Sequence, residues 1–258
     1  MTIRVLFVIA IFLWSGSIAY GDEPRRVEPG SGSTKSFLYT AKKYGIPILE
    51  ASIKIANGSF EEGRSHSQLQ PHVNALDYLR LLFRVNNRFV STVDGETCTP
   101  VRYAKEINQE GLLVQKKNYL QTLTFDHANK RVVVENGGKE KKQEVILPPE
   151  TYDPLSMFAR CYLKEELRPD QDIRMSIYDG VKLHRMVFHS GRGRIKSKKY
   201  GEVEAISLES TTSFSTFGDK EGVIRIWFTA DGKKTPILME LDLPVGNVKF
   251  ELEDMKES

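Results

Sequence analysis

The sequence predicts a mainly β fold: large curved antiparallel sheet material, half-barrel or β-roll-like, carrying one or two short helices. Three observations point that way. Apolar and polar residues alternate along most of the chain after residue 36, the period of a half-buried strand. Turn dipeptides punctuate the alternation at Asn57-Gly58, Asp94-Gly95, Asn136-Gly137 and Asp179-Gly180, the residue pairs that tight hairpins favour. Finally, no regular succession of helical stretches separates the strands, which argues against a parallel α/β sheet.

The chain starts with a stretch of another kind. Arg4 precedes an uncharged apolar run from Val5 to Trp14, and small residues follow up to Ala19 and Gly21. This is the layout of a secretory signal over residues 1–21, with the cut expected after Gly21. The run falls short of the roughly 20 apolar residues that span a bilayer, so no transmembrane segment is expected once the signal is removed. Residues 22–35 hold prolines, glycines and serines with one aliphatic side chain, and read as a flexible leader. A single β-rich domain is expected over 36–258. Such a chain is directed to the periplasm.

Within the domain, Leu49, Ala51, Ile53 and Ile55 alternate with polar residues and stop at Asn57-Gly58. Ile173, Met175 and Ile177 lead into Asp179-Gly180. Val181, Leu183, Arg185 and Val187 then alternate on the far side, completing a hairpin. A second hairpin joins Val223–Ala230 to Thr235–Leu243 through Asp231-Gly232-Lys233-Lys234. Ten to twelve strands are expected in all. Two segments break the pattern. Asp153-Pro154 starts a helix, with Asp as the N-cap and Pro in the first turn, and Leu155, Phe158, Cys161 and Tyr162 form its apolar stripe. His72–Phe83 places Val73, Leu76, Leu79 and Phe83 near helical spacing, which predicts a shorter helix.

Composition excludes several functions. The 258 residues are 40% hydrophobic, with 37 Lys+Arg against 34 Asp+Glu. That is too apolar for a disordered chain, and a net charge of +3 is too balanced for a dedicated nucleic-acid binder. The two cysteines, Cys98 and Cys161, have no metal or redox spacing. They could pair in an oxidising compartment or serve as small core residues. No hydrolase elbow, zincin motif or calcium loop occurs. His66 and His72 fall in a loop-like stretch, and His184 and His189 point to opposite faces of one strand. No cofactor, metal or catalytic residue is therefore expected.

One charged feature is ordered. Arg192, Arg194, Lys196 and Lys198 recur at a spacing of two, beside Lys199. On a strand they share a face. They are weak candidates for contact with an anion, and equally a solvated face that protects an edge strand.

Several short motifs carry a likeness. They are Tyr44-Gly45-Ile46-Pro47, Phe125-Asp126-His127, Ile146-Leu147-Pro148-Pro149, Tyr152-Asp153-Pro154-Leu155-Ser156 and Tyr178-Asp179-Gly180-Val181. Ile224-Arg225-Ile226-Trp227-Phe228 with Pro236-Ile237-Leu238, and Gly246-Asn247-Val248-Lys249, complete the set. Over residues 36–253 the chain resembles domain of unknown function 3108, a family of exported bacterial proteins. The resemblance implies an exported β-rich domain and supplies no catalytic residues.

The expected function is non-enzymatic binding of a lipid-like or other amphipathic ligand, such as a lipid or lipoprotein precursor, on the concave face of the sheet. Inward alternation of aliphatic and aromatic residues motivates it. The alternative is an envelope scaffold with a filled core and a protein partner. A hydrolase or glycan-modifying enzyme is the weaker third reading.

Overall fold

The computed structural model describes residues 33–258, except 62–63, 113, 115, 138–141, 215–219 and 244–245. The signal segment and most of the leader lie outside the described residues.

Among the described residues fifteen strands form one sheet. They are β1 (Thr34–Lys43), β2 (Ile46–Glu61), β3 (Arg64–Ala75), β4 (Phe83–Asp94), β5 (Pro100–Gly111), β6 (Lys117–Asp126), β7 (Arg131–Asn136) and β8 (Gln143–Ile146), followed by β9 (Thr151–Tyr152) and, after a helical segment, β10 (Asp172–Tyr178). The rest are β11 (Leu183–Ser197), β12 (Gly201–Phe214), β13 (Lys220–Thr229), β14 (Pro236–Leu243) and β15 (Gly246–Glu257). The helix α1 (Pro154–Ala159) runs into one wider turn over Arg160–Lys164. No helix among the described residues is long and apolar enough to cross a membrane.

The sheet order is β8-β7-β6-β5-β4-β3-β2-β1-β15-β14-β13-β12-β11-β10-β9. Neighbours are antiparallel except β9 and β10, which are parallel. The first and last strands meet in the middle, where Thr34 and Ser258 exchange backbone hydrogen bonds at 2.8 and 2.9 Å.

The sheet is rolled. Lys105 on β5 donates to the Asp179 carbonyl oxygen after β10 at 2.9 Å, although nine places in the sheet order separate the two strands. A Cβ on Gly180 would lie 2.3 Å from Gln121 Oε1 and 3.2 Å from Leu123 Cδ1. The β10 end therefore presses its backbone onto the inner face of β5 and β6. Helix α1 lies inside the roll against β3, β4, β9 and β10. All six of its residues are buried. Phe158 stacks on Tyr162 at 6.1 Å and on Phe228 at 6.3 Å, while Phe37 meets Tyr162 edge-on at 5.8 Å.

Several expectations change. β1 begins at Thr34, so the last two residues read as leader belong to the first strand. The helix expected over His72–Phe83 is absent: Val73 lies in β3, Phe83 opens β4, and only Asp77–Leu79 makes a 3-10 turn. Helical spacing there came from two strand ends flanking a turn. His66 and His72 also lie on β3 rather than in a loop. Pro71 sits in this interior strand; the ladder to β4 skips from Leu69↔Ser91 to His72↔Arg88 around its missing N–H. On β11 the buried apolar residues are Met186 and Phe188, while Leu183 and Val187 are half-buried and Arg185 is exposed. β2 continues past Asn57-Gly58 through a bulge instead of turning.

Candidate functional site

The middle of the concave face, where the sequence placed an amphipathic ligand, is packed core. α1 and its aromatic stack cover it. Asp153 anchors that plug. Its Oδ1 accepts from Leu155 N at 2.8 Å and Ser156 N at 3.1 Å, and its Oδ2 accepts from Ser91 Oγ on β4 at 2.8 Å. Burial outweighs these bonds and holds the Asp153 carboxyl above its ordinary pKa.

Nearer the end of β5 the interior turns polar. Lys105, Gln109, Lys117 and Gln121 are buried on β5 and β6, with Asn87 beside them on β4. Burial, opposed by the Asp179 charge and helped by that of Lys117, brings the Lys105 pKa down to about 8. The sequence concealed this group, because Lys105 and Gln109 occupy inward positions of an otherwise regular strand.

A cleft opens on the outer face of the other half. β11 and β12 continue past the end of β13, whose last rung with β12 is Ala205↔Thr229. The overhanging arm crosses to β15, where Lys198 pairs with Glu253 and Lys199 pairs with Asp254 at 2.5 Å. Beneath the arm lies a space of about 340 Å³, lined by Ile195, Lys196, Lys198, Trp227, Leu238 and Lys249 among others. Trp227 alternates with the inward Ile226 and Phe228, so it faces out. A Cβ on Gly193 would come within 3.1 Å of its ring, so the glycine lets the indole lie against the β11 backbone. Its Nε1 donates to Glu240 Oε2 at 3.1 Å. Glu240 also takes Arg225 at 3.2 Å and Lys249 at 2.7 Å. Burial opposes the charge on Glu240, but these donors win and its pKa falls.

The four predicted basic residues divide here. Arg192 pairs with Glu204, and Arg194 lies 3.6 Å from Glu204 and 4.0 Å from Glu202. Those two form a self-neutralised ladder on the arm. Lys196 and Lys198 line the cleft. Trp227 itself was missed; the signal available was an outward tryptophan opposite the small residues Gly191 and Gly193.

Cys98 and Cys161 are free and buried. Burial raises their thiols to about 11 and about 12. His184 bonds Asp179 at 2.9 Å and His189 bonds Asp172 at 2.7 Å. Among the described residues no group of three His, Cys, Asp or Glu side chains is placed to hold a metal.

Comparison with known proteins agrees with this architecture. A search of curated proteins returns no match. Among solved structures, the beta-barrel-like protein of domain of unknown function DUF1849 from Brucella abortus aligns with a TM-score of 0.58 at 9% identity, over 87% of this chain and 98% of that one. At that identity the likeness is one of fold. The profile described as "Protein of unknown function (DUF3108)" matches residues 38–253, most of the chain and every strand of the roll. The chain belongs to the DUF3108 family.

Proposed function

We propose that this is an exported, non-enzymatic binding protein of the bacterial envelope, released into the periplasm after Gly21, that holds an anionic amphipathic ligand in the Trp227 cleft. The ligand class is the one expected from the sequence. Its place is different, because α1 occupies the middle of the concave face. One observation carries the reading: the cleft sets an indole, Ile195 and Leu238 beside Lys196, while Lys198 and Lys249 are held by Glu253 and Glu240. Apolar surface there gains from covering a hydrocarbon segment, and the Lys196 ammonium attracts a phosphate or carboxylate. Lys196 makes no ion pair among the described residues, so its charge is available to a ligand.

The cleft carries its own probe. The chain has two tryptophans, and Trp14 lies in the segment expected to be removed. Fluorescence of residues 22–258 therefore reports on Trp227. Titration with dodecyl phosphate is expected to give a saturable change that Lys196→Glu weakens at least about tenfold. A flat titration, or an unchanged one in Lys196→Glu, removes the cleft from consideration.

The filled core and the open outer edge of β8 favour a second reading, an envelope interaction module. Under it the titration is silent, and envelope proteins recovered on the immobilised chain survive Lys196→Glu.

A further inference from the structure

At the other end of β1 the strand connections form an apolar rim. Leu81 is 94% exposed, Leu112 85%, Tyr44 77%, and Ile46, Tyr78 and Leu82 are exposed as well. These residues lie on three separate connections that are joined to one another. Tyr78 Oη donates to the Pro47 carbonyl oxygen, tying the 3-10 turn to the β1–β2 hairpin. Leu112 N donates to the Leu82 carbonyl oxygen at 2.8 Å, tying the β5 end to the same turn. Single exposed apolar residues are ordinary, but a joined set of six calls for a contact.

Two further features point to what is contacted. Tyr44 sits at the tip of its hairpin with φ +51°. A bulky side chain is costly in that left-handed conformation, where Asn or Gly would serve the turn better. The tip thus keeps a largely exposed aromatic ring in a conformation that disfavours it, with the hydroxyl end lying over Gly246 at the start of β15. Beside it, Lys43 is 5% exposed, and its Nζ lies 5.6 Å from the Tyr44 ring centre with no hydrogen-bond acceptor in reach. Arg80, Arg84 and Lys116 add exposed cations, against Asp77 and Glu110. The rim therefore combines leucines, tyrosines and an excess of positive charge. That is the chemistry of the interface of an anionic bilayer, where Tyr and Leu settle at headgroup depth and cations meet phosphates.

We propose that this rim is a membrane-docking surface that seats the protein on anionic lipid, with Leu81 and Leu112 inserted, Tyr44 at headgroup depth and the exposed Arg80, Arg84 and Lys116 facing lipid phosphates. No rim residue lines the Trp227 cleft, and the proposal stands independently of what the cleft binds.

The test is flotation of residues 22–258 with vesicles. Removing 1–21 leaves every described residue in place and takes away an apolar stretch that would bind lipid by itself. The protein is expected to float with vesicles of phosphatidylglycerol and phosphatidylcholine, and to stay largely behind with phosphatidylcholine alone. The double substitution Leu81→Ser/Leu112→Ser is expected to weaken partitioning at least about tenfold, since two solvent-facing leucines lose their insertion. Its melting temperature should match the wild type, because both side chains are exposed. Tyr44→Asn should likewise weaken flotation while leaving the fold as stable or more so. No flotation, equal partitioning of the double variant, or equal binding to neutral vesicles would overturn the proposal. A concentration-dependent dimer that the double substitution abolishes, without flotation, would assign the rim to a second copy of the chain and overturn it equally.

Discussion

Lys105 shows how a single side chain closes the roll, and at what cost. Its ammonium is completely buried and spans from β5 to the Asp179 carbonyl. Burial shifts its pKa from 10.5 to about 8, which at 1.36 kcal/mol per unit corresponds to roughly 3 kcal/mol against the charged form. Between about pH 8 and 10.5 the unfolded chain holds the proton that the folded chain has released, so stability rises with pH across that window. Tyr39 and Tyr103 act oppositely. Burial raises their pKa well above the ordinary value of 10, so the unfolded state ionises first and stability falls above about pH 10. The buried thiols of Cys98 and Cys161 also ionise first in the unfolded chain, so stability is lost from about pH 9 as well. Urea midpoints are thus expected to climb from pH 7.5 to about 8.5 and to drop beyond. In Lys105→Met the climb should flatten. An equal slope in the variant would mean that another group produces it.

Helix α1 carries the second lesson. Asp153-Pro154 marked its start in the sequence because a capping acceptor and a fixed φ act locally. What the helix does was not legible, since Ser91 on β4, which completes the Asp153 shell, is 62 residues away. Asp153→Ala should cost about 3 kcal/mol, from a lost cap and a stranded buried hydroxyl. Asp153→Asn, which keeps one acceptor, should cost less; equal losses in denaturant titrations would contradict the cap as the source. The same division between local and distant signals runs through the strands. The β10–β11 and β13–β14 hairpins were readable because a turn and its flanking alternation are contiguous. β3 was not, because Pro71 and a mixed polar pattern hid a strand held by neighbours on both sides. β8 and β9 span four and two residues, too short for any period to show. At the cleft, Lys196 and Lys198 stood out by spacing. Trp227 needed the arm and the notch beneath it before it became part of a site.

For the whole molecule, the position of β15 matters most. It lies between β1 and β14 in the centre of the sheet, holding the two arms of the roll together. Deleting residues 246–258 should leave two half-sheets with unpaired inner edges, and the cooperative thermal transition should disappear. Retention of one sharp transition would show that α1 and the β5–β10 contact suffice to unite the arms. The same arrangement has a consequence in time. A chain synthesised from its first residue onward presents β1 early, yet the partner for one side of β1 is among the final residues to arrive. Until synthesis finishes, that edge stays open to other strands, and closure must wait for contacts spanning nearly the whole described chain. A protein built this way has reason to be escorted while it is being made, whatever it later binds.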